Sequence, residues 1–379
     1  MGGTLDNAAA QLVPPNAIAY VSADSRFDSA RWRTIFDLTG PVGLTPELRA
    51  AAGDELHLAS LPGTDGPEVV AIVKPKDEAK LRSFAARNGH YTVQHVNGWS
   101  VVADSPAVFA AVRGAASGRS LADMAEFKAA AAELDTNALV TAYAQGAALQ
   151  QVGGTVKQLA DVAGAPKWIA AQLLPERAAA RLELRISAPT GASTYRPTLL
   201  RDVPSGAIAA VSFKDLDAPL AKLPALQNYI PASLLPALRG EGVAYLAPAT
   251  IVPTFVFEVQ SPDPGAAEQA LRATAKTLER RLNGALKLRV ARYGSRVVLT
   301  NAPANAPSSG GALVDDQPFK DALAAAGAPA EVTFLAYADV QRLTPFLQLL
   351  MLHTKRLDRI GTAVAYGTPA RVVIRAELK

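Results

Sequence analysis

Val13-Pro14-Pro15-Asn16-Ala17-Ile18-Ala19-Tyr20-Val21-Ser22 returns later in the chain as Val203-Pro204-Ser205-Gly206-Ala207-Ile208-Ala209-Ala210-Val211-Ser212. Pro204 stands against Pro14, an offset of 190. Each copy has a Pro-marked turn followed by an apolar, β-prone run, which reads as an opening strand. Self-similarity at a fixed offset is the signature of a repeated structural unit.

Further matches keep the same order. Gly98, Val101 and Val102 align with Gly294, Val297 and Val298, and Phe127-Lys128-Ala129 aligns with Phe319-Lys320-Asp321. Ala142-Tyr143-Ala144 matches Ala336-Tyr337-Ala338, and both copies close alike, in Arg181-Leu182-Glu183-Leu184-Arg185 and Arg371-Val372-Val373-Ile374-Arg375. Colinear matches predict a tandem duplication: a first repeat over 11–188, a linker over 189–200 and a second repeat over 201–379. The segment Ser187 to Pro197 has the small, turn-forming residues of a linker, and Asn301 to Gly311 reads as a surface loop.

The closing strands alternate strictly. Leu182, Leu184 and Ile186 face one way and Arg181, Glu183 and Arg185 the other, a pattern that Val372, Ile374, Ala376 and Leu378 repeat. A period of two predicts an antiparallel sheet with one buried and one wet face. Asp263 and Pro264 open a predicted helix with Ala267, Leu271, Ala275, Leu278 and Leu282 on one stripe, and Leu81, Phe84 and Ala85 mark its counterpart after Pro75. The expected fold is α+β: two lobes related by a pseudo-two-fold axis, each an antiparallel sheet covered by helices on one face.

Composition narrows the function. The chain has 379 residues, 49% hydrophobic and 19% charged, as expected for packed domains. Its net charge of +4 is too small to indicate nucleic-acid binding. It has no cysteine, which removes disulfides, thiol catalysis and Cys-ligated zinc. The most apolar stretch, Phe346 to Leu352, is shorter than the roughly 20 residues that span a bilayer. Met1-Gly2-Gly3-Thr4 lacks the features of a signal peptide, and a lipid-anchored Cys in the place of Met1 is one reading of that start.

Catalytic motifs are missing. There is no Gly-x-Ser-x-Gly, P-loop, Gly-x-Gly-x-x-Gly or His-Glu-x-x-His. His90 and His95 lie five apart in an expected strand and so point to opposite faces; His353 sits among Lys355, Arg356 and Arg359, and His57 stands alone. Asp215-Leu216-Asp217 and Asp315-Asp316 carry turn and cap signals, and the Lys and Arg between Lys276 and Arg292 read as a solvated face or a contact with anionic lipid headgroups. A non-enzymatic protein without cofactor or metal is the expectation.

What stands out is apolar. Trp32 and Phe36 follow the first strand; Leu226, Tyr229, Ile230 and Leu234 follow its counterpart in a segment broken by Pro219, Pro224, Pro231 and Pro236; Phe346 and Leu350 lie on a helix apolar on nearly every side. These residues either close the cores or line a cavity for a lipid or other apolar small molecule, with the Pro-broken segment as a lid. The rival reading is an interaction scaffold that docks a partner through an apolar patch.

Leu12-Val13-Pro14-Pro15-Asn16-Ala17-Ile18-Ala19-Tyr20-Val21, with Trp32 and Gly98-Trp99 after it, resembles the bacterial domain-of-unknown-function family 3352. The second copy has neither Trp position. The resemblance implies a secreted or lipid-anchored envelope protein, outside the cytoplasm, and no particular activity.

Overall fold

The computed structural model describes residues 4–5, 7–39, 51–64, 66–87, 91–152, 164–187, 193–223, 232–249, 253–281, 286–302, 311–349 and 357–379. The chain divides into two compact units, Met1–Thr190 and Gly191–Lys379.

In the first unit the elements run β1 (Ala19–Asp24), α1 (Ala30–Thr39), β2 (Glu55–Leu61), β3 (Glu68–Val73), α2 (Glu78–Arg87), β4 (Thr92–Val96), β5 (Trp99–Ala103), α3 (Pro106–Ser117), α4 (Ala125–Ala132), β6 (Val140–Gln145), α5 (Gly146–Val152), β7 (Trp168–Pro175) and β8 (Ala179–Ile186). In the second they run β9 (Ala209–Lys214), α6 (Asp217–Ala221), β10 (Glu241–Ala247), β11 (Thr254–Gln260), α7 (Pro264–Arg281), β12 (Arg289–Tyr293), β13 (Arg296–Thr300), α8 (Gln317–Ala326), β14 (Phe334–Asp339), α9 (Val340–Leu349), β15 (Ile360–Thr368) and β16 (Arg371–Leu378).

Both units hold antiparallel sheets. The strand order is β8-β7-β6-β1-β2-β3-β5-β4 in the first and β16-β15-β14-β9-β10-β11-β13-β12 in the second, so that each strand of one order answers to the strand eight places later in the chain. Register agrees as well. Val21 faces Leu58 and Ala142 across its two ladders, and Val211 faces Ala244 and Ala336. Matching helices start alike: the Asp77 carboxylate accepts from Lys80 N and the Asp263 carboxylate from Ala266 N, both at 3.0 Å, satisfying a first-turn donor in each.

Two expectations need correction. Aligning Gly98 with Gly294 is one residue out. Ser100 pairs with Val73 and Val297 with Val259, so that Ser100 answers to Val297 and Val102 to Leu299. The cause is the hairpin turn, which places glycine second in Asn97-Gly98 and first in Gly294-Ser295, with φ of +78° and +63° at the two glycines.

Helices also cover both faces of each sheet, not one. Val101 packs with Val108, Phe109 and Val112 of α3, while its neighbour Val102 packs with Leu81 of α2. Successive residues of a strand point to opposite faces. In the second unit Val243 belongs to the cluster of Phe319, Ala322 and Ala326 on α8, and Val259, Val297 and Leu299 to that of Ala267, Leu271 and Ala275 on α7.

Candidate functional site

The face that meets α1 and α2 is apolar from strand to strand. Ladder partners place Leu184, Ala171, Ala142, Val21, Leu58, Ala71 and Val102 in one transverse row of the first sheet. The next row toward the carboxyl end of β1 is Leu182, Leu173, Val140, Ala23, Leu56 and Val73. The second sheet repeats the first row as Ile374, Ala365, Ala336, Val211, Ala244, Phe257 and Leu299.

This face is not closed. α1 meets Leu173 and Ala180, and α2 meets Val73, Val93 and Val102. Between them Val21 and Ala142 are only partly buried. Leu58 is 36% exposed, Val69 52% and Leu182 45%, and in the second unit Val211 is 44% exposed and Ile374 45%. Large apolar side chains are thus left partly in water on matched strands of the two units.

The opposite face of the first sheet is closed over the apolar cluster that includes Tyr20, Val70, Val101 and Tyr143, and one polar row runs through it. Glu183, Gln172, Thr141, Ser22 and His57 form a row over β8, β7, β6, β1 and β2, and all are buried. Burial of such groups requires partners. Gln172 Nε2 donates to Glu183 Oε2 at 2.9 Å and its Oε1 accepts from Asp135 N at 2.7 Å; Arg185 holds Glu183 at 3.2 Å and Arg181 at 3.7 Å. The Tyr20 hydroxyl donates to Asn7 Oδ1 at 2.8 Å, which leaves its oxygen to accept from His57 Nδ1 at 3.0 Å. That arrangement favours a proton on Nδ1, while Glu55 Oε2 lies 3.4 Å from Nε2.

Burial, aided by the charge of Lys74, pushes the His57 imidazole down to about 4, and burial pushes the Tyr20 phenol up. Both are neutral at pH 7. In the second unit the same row reads Val373, Tyr366, Leu335, Ser212, Val243, Glu258 and Val298, so the polar ladder belongs to the first unit. Sequence reading missed it because its members come from five strands, and only their pairing assembles them.

The closing strands therefore invert the expected alternation. On β8 the Arg181, Glu183, Arg185 side packs inward and the Leu182 side is the more open. A carboxylate goes inside here because two guanidiniums and an amide go with it.

Of the residues singled out from the sequence, Trp32 is buried against Phe27, Ile35 and Leu139, and Phe36 stacks on it with centroids 5.3 Å apart. The Trp32 indole donates to the Asp24 carbonyl at 2.8 Å, pinning α1 to the end of β1. Leu234 packs on the cluster of α7. Leu226, Tyr229, Ile230 and Leu350 lie outside the described residues, as do His90 and His353, and Phe346 lies on α9. The acidic pairs serve turns: Asp215 accepts from Gly240 N at 2.8 Å, Asp217 pairs with Arg239 at 2.9 Å, and Asp316 accepts from Ser205 and Gly206 N.

An open cleft of about 620 Å³ in the second unit is lined by Tyr195, Arg196, Lys214, Glu241, Gln260 and Ser295, among others, and by none of the residues singled out above. Among the described residues no group of three or more His, Asp and Glu stands close enough to hold a metal ion, and no helix is long and apolar enough to cross a membrane.

No protein family matches the chain by sequence profile, and no curated protein matches it. Two solved structures, crystal forms I and III of TP0453, align with it. Form I shares 10% identity over 50% of this chain and 81% of its own, with a TM-score of 0.28. Form III shares 8% identity over 77% of this chain and 92% of its own, with a TM-score of 0.29. Similarity at that level is below what a common fold requires.

Proposed function

We propose that this chain is a tandem duplication of one α+β unit and a non-enzymatic protein of the cell envelope, which holds a lipid or other apolar ligand between the open sheet face and its helices. The observation that carries the reading is the inversion on β8, where Leu182 is left open while Glu183 is buried. Hiding Leu182 and leaving Glu183 in water is the ordinary arrangement, and the reverse leaves apolar surface uncovered at a cost that a ligand relieves. An acyl chain laid along the row of Val21, Leu58 and Ala142 gains about 0.8 kcal/mol for each methylene it hides.

The matching row through Val211 and Ile374 supports an equivalent surface in the second unit, and the shared strand order supports the duplication. Placement in the envelope rests on the resemblance of residues 12–21, Trp32 and Gly98-Trp99 described above.

The test is protein purified from its native host without detergent, extracted with organic solvent and examined by mass spectrometry. Lipid released in stoichiometric amount is the expected result. Extracts free of lipid, with the apolar rows buried instead in a recurrent interface of more than about 1,000 Å², would replace the reading with the scaffold.

A further inference from the structure

We propose that the edge of the second unit formed by α7 and β12 is a contact surface for an anionic phospholipid bilayer. From Pro264 to Tyr293 the chain carries seven Lys and Arg and two Glu, a net charge of +5 (7 − 2), while all 379 residues sum to +4. One helix and one edge strand thus hold the whole positive excess, and the remainder of the chain is at −1 (4 − 5). The inference goes beyond the apolar-ligand reading and stands without it.

The charges are free to act outward. Arg272 is paired with Glu268 at 2.6 Å, and Glu279 accepts from Leu288 N at 2.7 Å. Lys276, Arg280, Arg281, Lys287, Arg289 and Arg292 are exposed and have no carboxylate partner among the described residues. Lys276 and Arg280 lie on the helix side away from the buried Ala267, Leu271 and Ala275. The Glu279–Leu288 bond brings the end of α7 to the start of β12, so Arg280 and Arg281 share one region with Lys287 and Arg289.

Two simpler explanations fall short. Cations at the last turn of a helix offset its dipole, which accounts for Arg280 and Arg281 but not for the three on and before β12. Cations on an edge strand deter edge-to-edge pairing. Yet β4, which holds the same outer position in the first sheet, has neither Lys nor Arg from Thr92 to Val96. Tyr293 at the hairpin turn is 68% exposed, and a tyrosine among arginines suits the headgroup layer, where its ring meets apolar matter and its hydroxyl meets water. Nucleic acid is the weaker match, since a single exposed ring offers no platform for successive bases.

Cosedimentation of the full chain with vesicles tests this. Mixed phosphatidylglycerol and phosphatidylcholine vesicles should retain the protein at low salt and release it as salt rises, and phosphatidylcholine alone should not retain it. Arg280→Glu with Arg289→Glu should weaken retention about thirtyfold or more, while Lys128→Glu with Lys320→Glu, a matched pair of exposed cations on α4 and α8, should not. Circular dichroism verifies folding of each variant, and the salt series needs no variant at all. Retention that ignores salt, equal retention of the Arg280/Arg289 variant, or tighter binding of duplex DNA than of the mixed vesicles at the same salt would each overturn the assignment.

Discussion

Glu183 is 2% exposed and its neighbour Leu182, one step back on the same strand, stands nearly half in water. The pair reverses the usual preference of its side chains, and each member yields a different expectation. Leu182→Ser should cost no more than about 1 kcal/mol, as for a half-exposed strand position beside Leu173. Glu183→Ala should cost about 3–5 kcal/mol, because Arg181, Arg185 and Gln172 lose a buried partner. Urea unfolding of the two variants compares them directly.

His57 sets a pH dependence. The folded protein protonates this imidazole only near pH 4, whereas an unfolded chain does so near 6.5. Between those values the unfolded state binds more protons, so stability falls as pH drops through the window and is regained above it. The full difference amounts to about 3 kcal/mol. His57→Gln, which keeps polar atoms near Tyr20, should flatten this part of the stability curve, measured by urea unfolding from pH 7 to pH 4. An unchanged slope would assign it to other groups.

Glu258 behaves in the opposite sense. Burial raises its carboxyl above the usual range, and Arg296 at 3.2 Å opposes that shift. Because the folded state holds the proton more tightly than the unfolded one, this group contributes more stability at low pH and loses it as pH rises. Arg296→Ala should therefore destabilise more at pH 8 than at pH 5, where the unpartnered carboxyl is nearer to neutral. A second change, Glu258→Gln, should remove the difference. Chemical denaturation at the two pH values is the measurement.

Phe127 meets Tyr143 edge-on at 5.2 Å and 79°, and Phe319 meets Tyr337 at 5.1 Å and 83°. Both pairs join a helix to the strand that follows it, under one face of the sheet. Phe127→Ala and Phe319→Ala should each cost about 3–5 kcal/mol, and double-mutant cycles with the tyrosines should return couplings of about 0.5–1.5 kcal/mol in both units. A coupling present in one unit and missing in the other would show that the two pairs are not equivalent.

The members of these pairs were legible in the sequence as repeat matches, Phe127-Lys128 with Phe319-Lys320 and the two Ala-Tyr-Ala strands with each other, but the ring contacts were not. The opening strands at Ala19 and Ala209 and the helix behind Asp263 were legible too, since caps, turns and short periods act within a few residues of themselves. Position across the sheet was harder. Alternation along β8 separates Leu182 from Glu183 but does not say which side faces in, because that depends on Gln172 one strand away and on Arg185. The hairpin match slipped by one residue because glycine marks a turn without fixing its place in it, and a slip of one exchanges the faces of every residue after it. Trp32 and Phe36 were recognisable as large apolar residues behind β1, while their packing on Leu139 and Leu173 depended on strands more than a hundred residues later.

Binding of a fluorescent fatty acid, cis-parinaric acid, to delipidated protein tests the apolar face most directly. Wild type should bind it saturably, and Leu58→Asp with Val211→Asp, which places a carboxylate on each open row, should abolish binding while a cooperative urea transition and an unchanged circular dichroism spectrum show that the fold is kept. Undiminished binding by that folded double variant, or none by the wild type, would contradict the account.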